Sequence, residues 1–111
     1  MFNGLFGGKP QNGISASDLK AKLENKENFL LFDVRTPEEY RGGHIDHSIS
    51  LPLQSLEANI AKYARSKNTE IVVYCQSGAR SSRAASVLSA LGYTSVKNLG
   101  GIMSWPYAVV R

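Results

Sequence analysis

The single cysteine of this 111-residue chain, Cys75, stands where the character of the sequence changes. Ile71, Val72, Val73 and Tyr74 precede it as a short apolar run. Gln76, Ser77, Gly78 and Ala79 follow as a loop of mostly small residues, and Arg80 and Ser81 lead into a helix-like run that starts near Ser82. Such an order ends a buried strand at the lip of a sheet, then turns the chain so that loop amides and the positive end of a helix dipole face the sulfur. Surroundings of this kind lower a thiol pKa from ~8.5 toward roughly 3.5 to 7.5, which makes the sulfur an anionic nucleophile at neutral pH. The same cradle suits an anionic substrate. A structural cysteine belongs inside an apolar run. Cys75 lies just past one, beside residues with little bulk to shield it, so the sequence predicts a reactive thiol.

Around Cys75, Gly78 allows a positive φ or a close backbone approach. Ser77 and Ser81 offer hydroxyls to a bound anion, or serve only as loop and capping residues. Arg80 either clamps an anion or ties the loop to an acid of the scaffold, and Arg83 faces solvent. Asp33, Val34 and Arg35 follow a second apolar run, with Asp33 expected to anchor loop amides or an arginine and Arg35 to clamp the neighbouring loop. His44, between Gly43 and Ile45, reads as a bridge between backbone segments, with general base as its alternative role. His47, Glu38, Glu39 and Asp46 read as surface charges, and no two of these carboxylates have the setting of a glycosidase or metal site.

The elements that must position these residues alternate in type. Residues 1–13, five of them glycine or proline, read as a mobile leader, and 14–111 as one domain. Ser15 with Asp18 resembles a capping box for a helix to about Glu24. Phe29 to Phe32 predicts a strand buried on both faces and ending at Asp33. Pro37 opens a helix that Gly42 and Gly43 stop after barely one turn. A short strand over 48–51, a helix over 53–64 and a strand over 70–74 come next. Beyond the cysteine loop a helix ends at Gly92 as a left-handed cap, a strand runs over 94–99, and a short helix covers 102–105. Alternation of this kind predicts an α/β fold with a mainly parallel sheet, whose chemistry lies beyond the strands' carboxyl ends.

Composition narrows the function. One cysteine and two histidines allow no internal disulfide and disfavour structural zinc. No apolar run approaches the ~18 residues of a membrane span, and a free thiol suits a reducing compartment, most simply the cytoplasm. The net charge of +4 divides into +1 over residues 1–32, −3 over 33–60 and +6 over 61–111. That excess attracts a small anion or an acidic partner, but the basic residues form no dense run interleaved with aromatics, which speaks against nucleic acid.

Over about Ile14 to Trp105 the chain resembles a single-domain rhodanese, a thiosulfate-type sulfurtransferase. The resemblance rests on Leu31 to Arg35; Glu39, Tyr40, Gly43, His44 and Ile45; Ser48 and Pro52; Cys75 to Ser81; and Gly92, Tyr93, Leu99, Gly100, Gly101 and Trp105. It implies a three-layer fold with a five-stranded parallel sheet flanked by helices on both faces, Cys75 as the sulfur carrier and Gln76 to Arg80 as its cradle. It also implies a small anionic sulfur donor and cyanide, a thiol or an acceptor protein as recipient. Thiolate chemistry of this kind needs no cofactor or metal, and the oligomeric state stays open with monomer as the default. Two positions depart from the family pattern: His47 stands where small residues are common, and Gln76 where arginine is frequent. The rival readings are a sulfur-carrying or binding module for a protein partner, and a cysteine phosphatase or arsenate reductase. The phosphatase pattern has five residues between cysteine and arginine, and this chain has four.

Overall fold

In the computed structural model, which describes residues 12–111, the elements follow the order α1 (Ala16–Glu24), β1 (Leu30–Asp33), α2 (Pro37–Arg41), β2 (Ile49–Ser50), α3 (Leu53–Tyr63), β3 (Ile71–Cys75), α4 (Ala79–Ala90) and β4 (Val96–Gly101). A single 3-10 turn, Ile102–Ser104, closes the sequence of elements. Ser15 caps α1 by accepting the amide of Asp18, and Gly92, at φ +98°, follows the end of α4 in the left-handed conformation. The helix after the cysteine begins at Ala79, three residues before the expected start, which puts Arg80 and Ser81 inside its first turn.

The strands lie in the order β2-β1-β3-β4, all pairs parallel. The expected five strands become four among the described residues. Beside β4, where a fifth would lie, Gly13 makes one isolated bridge to Asn98, flanked by Asn98 N–H to the Asn12 carbonyl (2.7 Å) and Ile14 N–H to the Asn98 carbonyl (3.1 Å). Ser15 then caps α1, so the chain turns helical before a ladder can extend. The rest of the expected leader, residues 1–11, lies outside the described residues. No helix among the described residues is long and apolar enough to cross a membrane.

Every residue of β3 is buried, and its side chains divide between two faces. Ile71, Val73 and Cys75 join Phe32, Leu56 and Ile60, Ala84 and Leu88 under α3 and α4. Val72 and Tyr74 join Leu19, Leu31 and Ile45 under α1. The sheet is therefore covered on both sides, as a three-layer α/β fold requires.

Tyr74 anchors the second cluster: its hydroxyl accepts the Ile45 amide (3.1 Å) and pairs with Ser48 Oγ (3.0 Å). Burial raises its pKa well above the usual phenol range, so the hydroxyl stays protonated. Tyr74→Phe leaves the Ile45 amide, on a residue only 1% exposed, without its partner; urea unfolding should show a loss of about 1–3 kcal/mol with an unchanged slope.

Candidate active site

β3 delivers Cys75 to the carboxyl edge of the sheet, and the chain then folds over it. Gly78, at φ +114°, serves as N-cap of α4 and turns its own amide onto Sγ at 3.0 Å. The amide of Ser81, in the helix's first turn, meets Sγ at 3.2 Å, and the Ser81 hydroxyl stands 3.5 Å away. Burial alone would raise the thiol pKa, but the Ser81 hydroxyl and the amides of Ser81, Gly78 and Ser77 outweigh it, so the thiol is more acidic than usual.

The expectation of an unshielded sulfur is corrected: Cys75 is 1% exposed. The small residues of the loop do not open the site; they let backbone close over the sulfur. Ser77 is exposed, whereas Ser81 is fully buried, its hydroxyl also reaching the carbonyl of Gly78 at 3.1 Å.

Arg80 ties the loop to the scaffold. Its Nη1 and Nη2 donate to Glu39 Oε1 (2.8 Å) and Oε2 (3.0 Å), a two-pronged pair with α2. Glu39 is thus not the free surface charge read from sequence. The Arg80 bonds, opposed by burial and helped by the Thr36 amide and hydroxyl, hold its pKa at about 2. A signal for this was present in Thr36-Pro37-Glu38-Glu39, the spacing of a reciprocal capping box, which the structure forms. That box fixes the Glu39 carboxylate where Arg80 can meet it.

Asp33 and Arg35, 0% and 4% exposed, form the second tie. Arg35 Nη2 lies 2.7 Å from Asp33 Oδ2, Nε bonds both carboxylate oxygens, and the Arg35 amide adds a fourth bond at 2.9 Å. The guanidinium then donates to the Gly43 carbonyl (2.7 Å) and to Gln76 Oε1 (3.2 Å), joining the ends of β1 and α2 to the cysteine loop. His44 is not brought into this network. Its Nδ1 sits 2.9 Å from the Tyr40 carbonyl, its ring stacks on that of Tyr40 at 3.7 Å, and its backbone pairs with Val110.

His47 is exposed, as expected, beside Asp46, and takes a φ of +71°, a left-handed conformation that glycine adopts most readily. Arg83 is exposed and, with Arg80, Leu53 and Gln54, lines an open depression of about 570 Å³ between α3 and α4, next to the loop.

The Glu39–Arg80 pair has a defined pH signature. A carboxylate whose folded pKa is depressed stabilises the fold above its unfolded pKa and loses that contribution as pH falls toward the folded value. Glu39→Gln should be less stable than wild type by about 1 kcal/mol at pH 7, the pair being partly solvent-screened. The difference should shrink between about pH 4.5 and pH 2, the unfolded and folded values for Glu39, when the two proteins are unfolded in parallel by denaturant.

A family model described as rhodanese-like domain matches residues 15–107. The chain is 38% identical over 95 residues to a sulfurtransferase of Allochromatium vinosum, a match covering 85% of this chain and 87% of that protein. It is 41% identical over 70 residues to the thiosulfate sulfurtransferase PspE of Escherichia coli, covering 63% and 67% of the two chains. Among solved structures, a rhodanese with anions from E. coli superimposes with a TM-score of 0.70 at 36% identity, over 74% of this chain and 96% of that one. A match that runs from the cap of α1 past the final turn, on a parallel sheet ending in an amide-lined cysteine loop, leaves no element of the domain outside it: the chain belongs to the rhodanese-like domain family.

Proposed function

We propose that the protein is a sulfurtransferase that carries a sulfane sulfur on Cys75. The Cys75 thiolate attacks the outer sulfur of an anionic donor such as thiosulfate. A new S–S bond forms, the bond to the sulfite sulfur breaks, and sulfite leaves with that electron pair. The terminal persulfide sulfur then passes to a nucleophile. Cyanide carbon attacks it to release thiocyanate, or a thiolate attacks it to become a persulfide, and in either case Cys75 returns as thiolate. Both steps balance without a cofactor.

The observation that carries this reading is the set of amides converging on one buried sulfur: Gly78 N at 3.0 Å and Ser81 N at 3.2 Å. They stabilise the attacking thiolate, and their partial positive charge would serve the persulfide anion as well. The similarity to sulfurtransferases supports the same class. With no second cysteine in the chain, the persulfide cannot resolve as an internal disulfide, so the acceptor is external. An unpaired thiol of this acidity fits a reducing compartment such as the cytoplasm.

The phosphatase alternative needs an arginine free to hold phosphate inside the loop. Here both terminal nitrogens of Arg80 are engaged by Glu39, and the loop is one residue short of that pattern.

Intact mass after incubation with thiosulfate tests the proposal. Wild type should gain one sulfur atom, cyanide should remove it with release of thiocyanate, and Cys75→Ala should gain none. Folded, reduced wild type that takes no sulfur from thiosulfate or from another persulfide donor would overturn it. A second expectation follows from the lowered thiol pKa: alkylation of Cys75 by iodoacetamide should stay fast below the ~8.5 midpoint of an ordinary thiol.

A further inference from the structure

β4 ends against the cysteine loop, and one contact there is closer than any side chain would permit. A Cβ built on Gly101 would lie 2.5 Å from the carbonyl oxygen of Gln76, 2.8 Å from Ser77 Cα and 3.0 Å from the Ser77 carbonyl carbon. All three are backbone atoms, so no side-chain rotation relieves the clash. Conformation does not call for glycine here: Gly101 has φ −103° and ψ 138°, ordinary extended backbone. Its neighbour Gly100 is the reverse case, with φ +96° and nothing within 4 Å of a built Cβ. The pairing along β3 and β4 skips Leu99, from Val73 with Asn98 to Tyr74 with Gly100, so that Gly101 falls opposite Cys75. The Gln76 carbonyl that meets Gly101 is held by the Met103 amide at 3.2 Å.

We propose that Gly101 is a positioning residue for the Cys75 nucleophile: its bare Cα lets the Gln76–Ser77 peptide lie against β4, which in turn aims the loop amides at the sulfur. This rests on Cys75 being the reacting group. Gly101 is paired opposite the buried Cys75, whereas Ser77 is exposed. A methyl group at 101 therefore displaces the loop rather than the strand, and turns the amides that follow away from Sγ.

The test is the pH dependence of iodoacetamide alkylation, for which Cys75 is the only thiol. Gly101→Ala should raise the midpoint by about one pH unit, about tenfold less thiolate on the acid limb. Gly100→Ala should lower stability through its left-handed φ while leaving the midpoint in place. Met103→Pro removes the amide that holds Gln76, on a residue 70% exposed whose N–H makes no bond within its own helical turn; it should raise the midpoint too. Folded Gly101→Ala with the wild-type midpoint overturns the proposal, as does a Gly100→Ala shift of equal size. Should Gly101→Ala not fold, a wild-type midpoint in Met103→Pro overturns it. Thiosulfate loading measured alongside separates the two claims, because a wild type that takes no sulfur, beside a shifted Gly101→Ala midpoint, sinks sulfur transfer and leaves the positioning role standing.

Discussion

A thiol buried at the end of a central strand can take on negative charge only where the protein itself solvates it, because burial keeps water away. Cys75 is 1% exposed, and the hydrogen-bond donors to its sulfur are backbone amides at the junction of loop and helix, with the Ser81 hydroxyl 3.5 Å away. Fixed dipoles in a low-dielectric site need no reorganisation when charge appears, so they stabilise it better than mobile water does. The site imposes its cost on the backbone. Gly78 takes a left-handed φ, α4 starts at Ala79 so that the Ser81 amide points back, and β4 approaches the loop as closely as a glycine allows.

Such a loop would drift if only the sulfur held it, and the scaffold grips it from three directions. Arg35 bonds the Gln76 side chain, Met103 N–H bonds the Gln76 carbonyl, and Arg80 reaches Glu39 on α2. The Asp33–Arg35 pair is nearly waterless, where desolvation can outweigh attraction unless the remaining donors find partners. They do, in Gly43 and Gln76, and the pKa of Arg35 is raised despite burial that lowers it, chiefly by its bond to Asp33. The pair joins three chain segments, the end of β1, the end of α2 and the cysteine loop, through one guanidinium.

Local signals were legible wherever the physics is local. The Ser15 cap, the apolar run into Asp33, the proline-led helix at Pro37 and the left-handed Gly92 all stand close to their sequence positions, since neighbours along the chain determine them. The start of α4 was less legible because Ala79, Arg80 and Ser81 carry no periodic apolar signal, and the burial of Ser81 against the sulfur is a tertiary contact. Glu39 looked like solvent-facing charge because its partner lies 41 residues away. Among the described residues the strand count is four for a related reason: after Gly13 makes its one bridge to β4, the chain is capped into α1 at Ser15.

By itself the sequence determined that a lone cysteine follows an apolar strand and precedes a small-residue turn into a helix, and with it the family and the parallel α/β class. Those follow from residue types and spacing of a few positions. Only the tertiary structure decided that the sulfur is buried rather than open, that Arg80 is bound to Glu39 rather than left free for an anion, that His44 belongs to Tyr40 and Val110, and that Gly101 abuts the loop. Each of these joins residues far apart in the chain, and the distances and burial that set their charge and reach arise only when β1, β3, β4 and α2 are packed against one another.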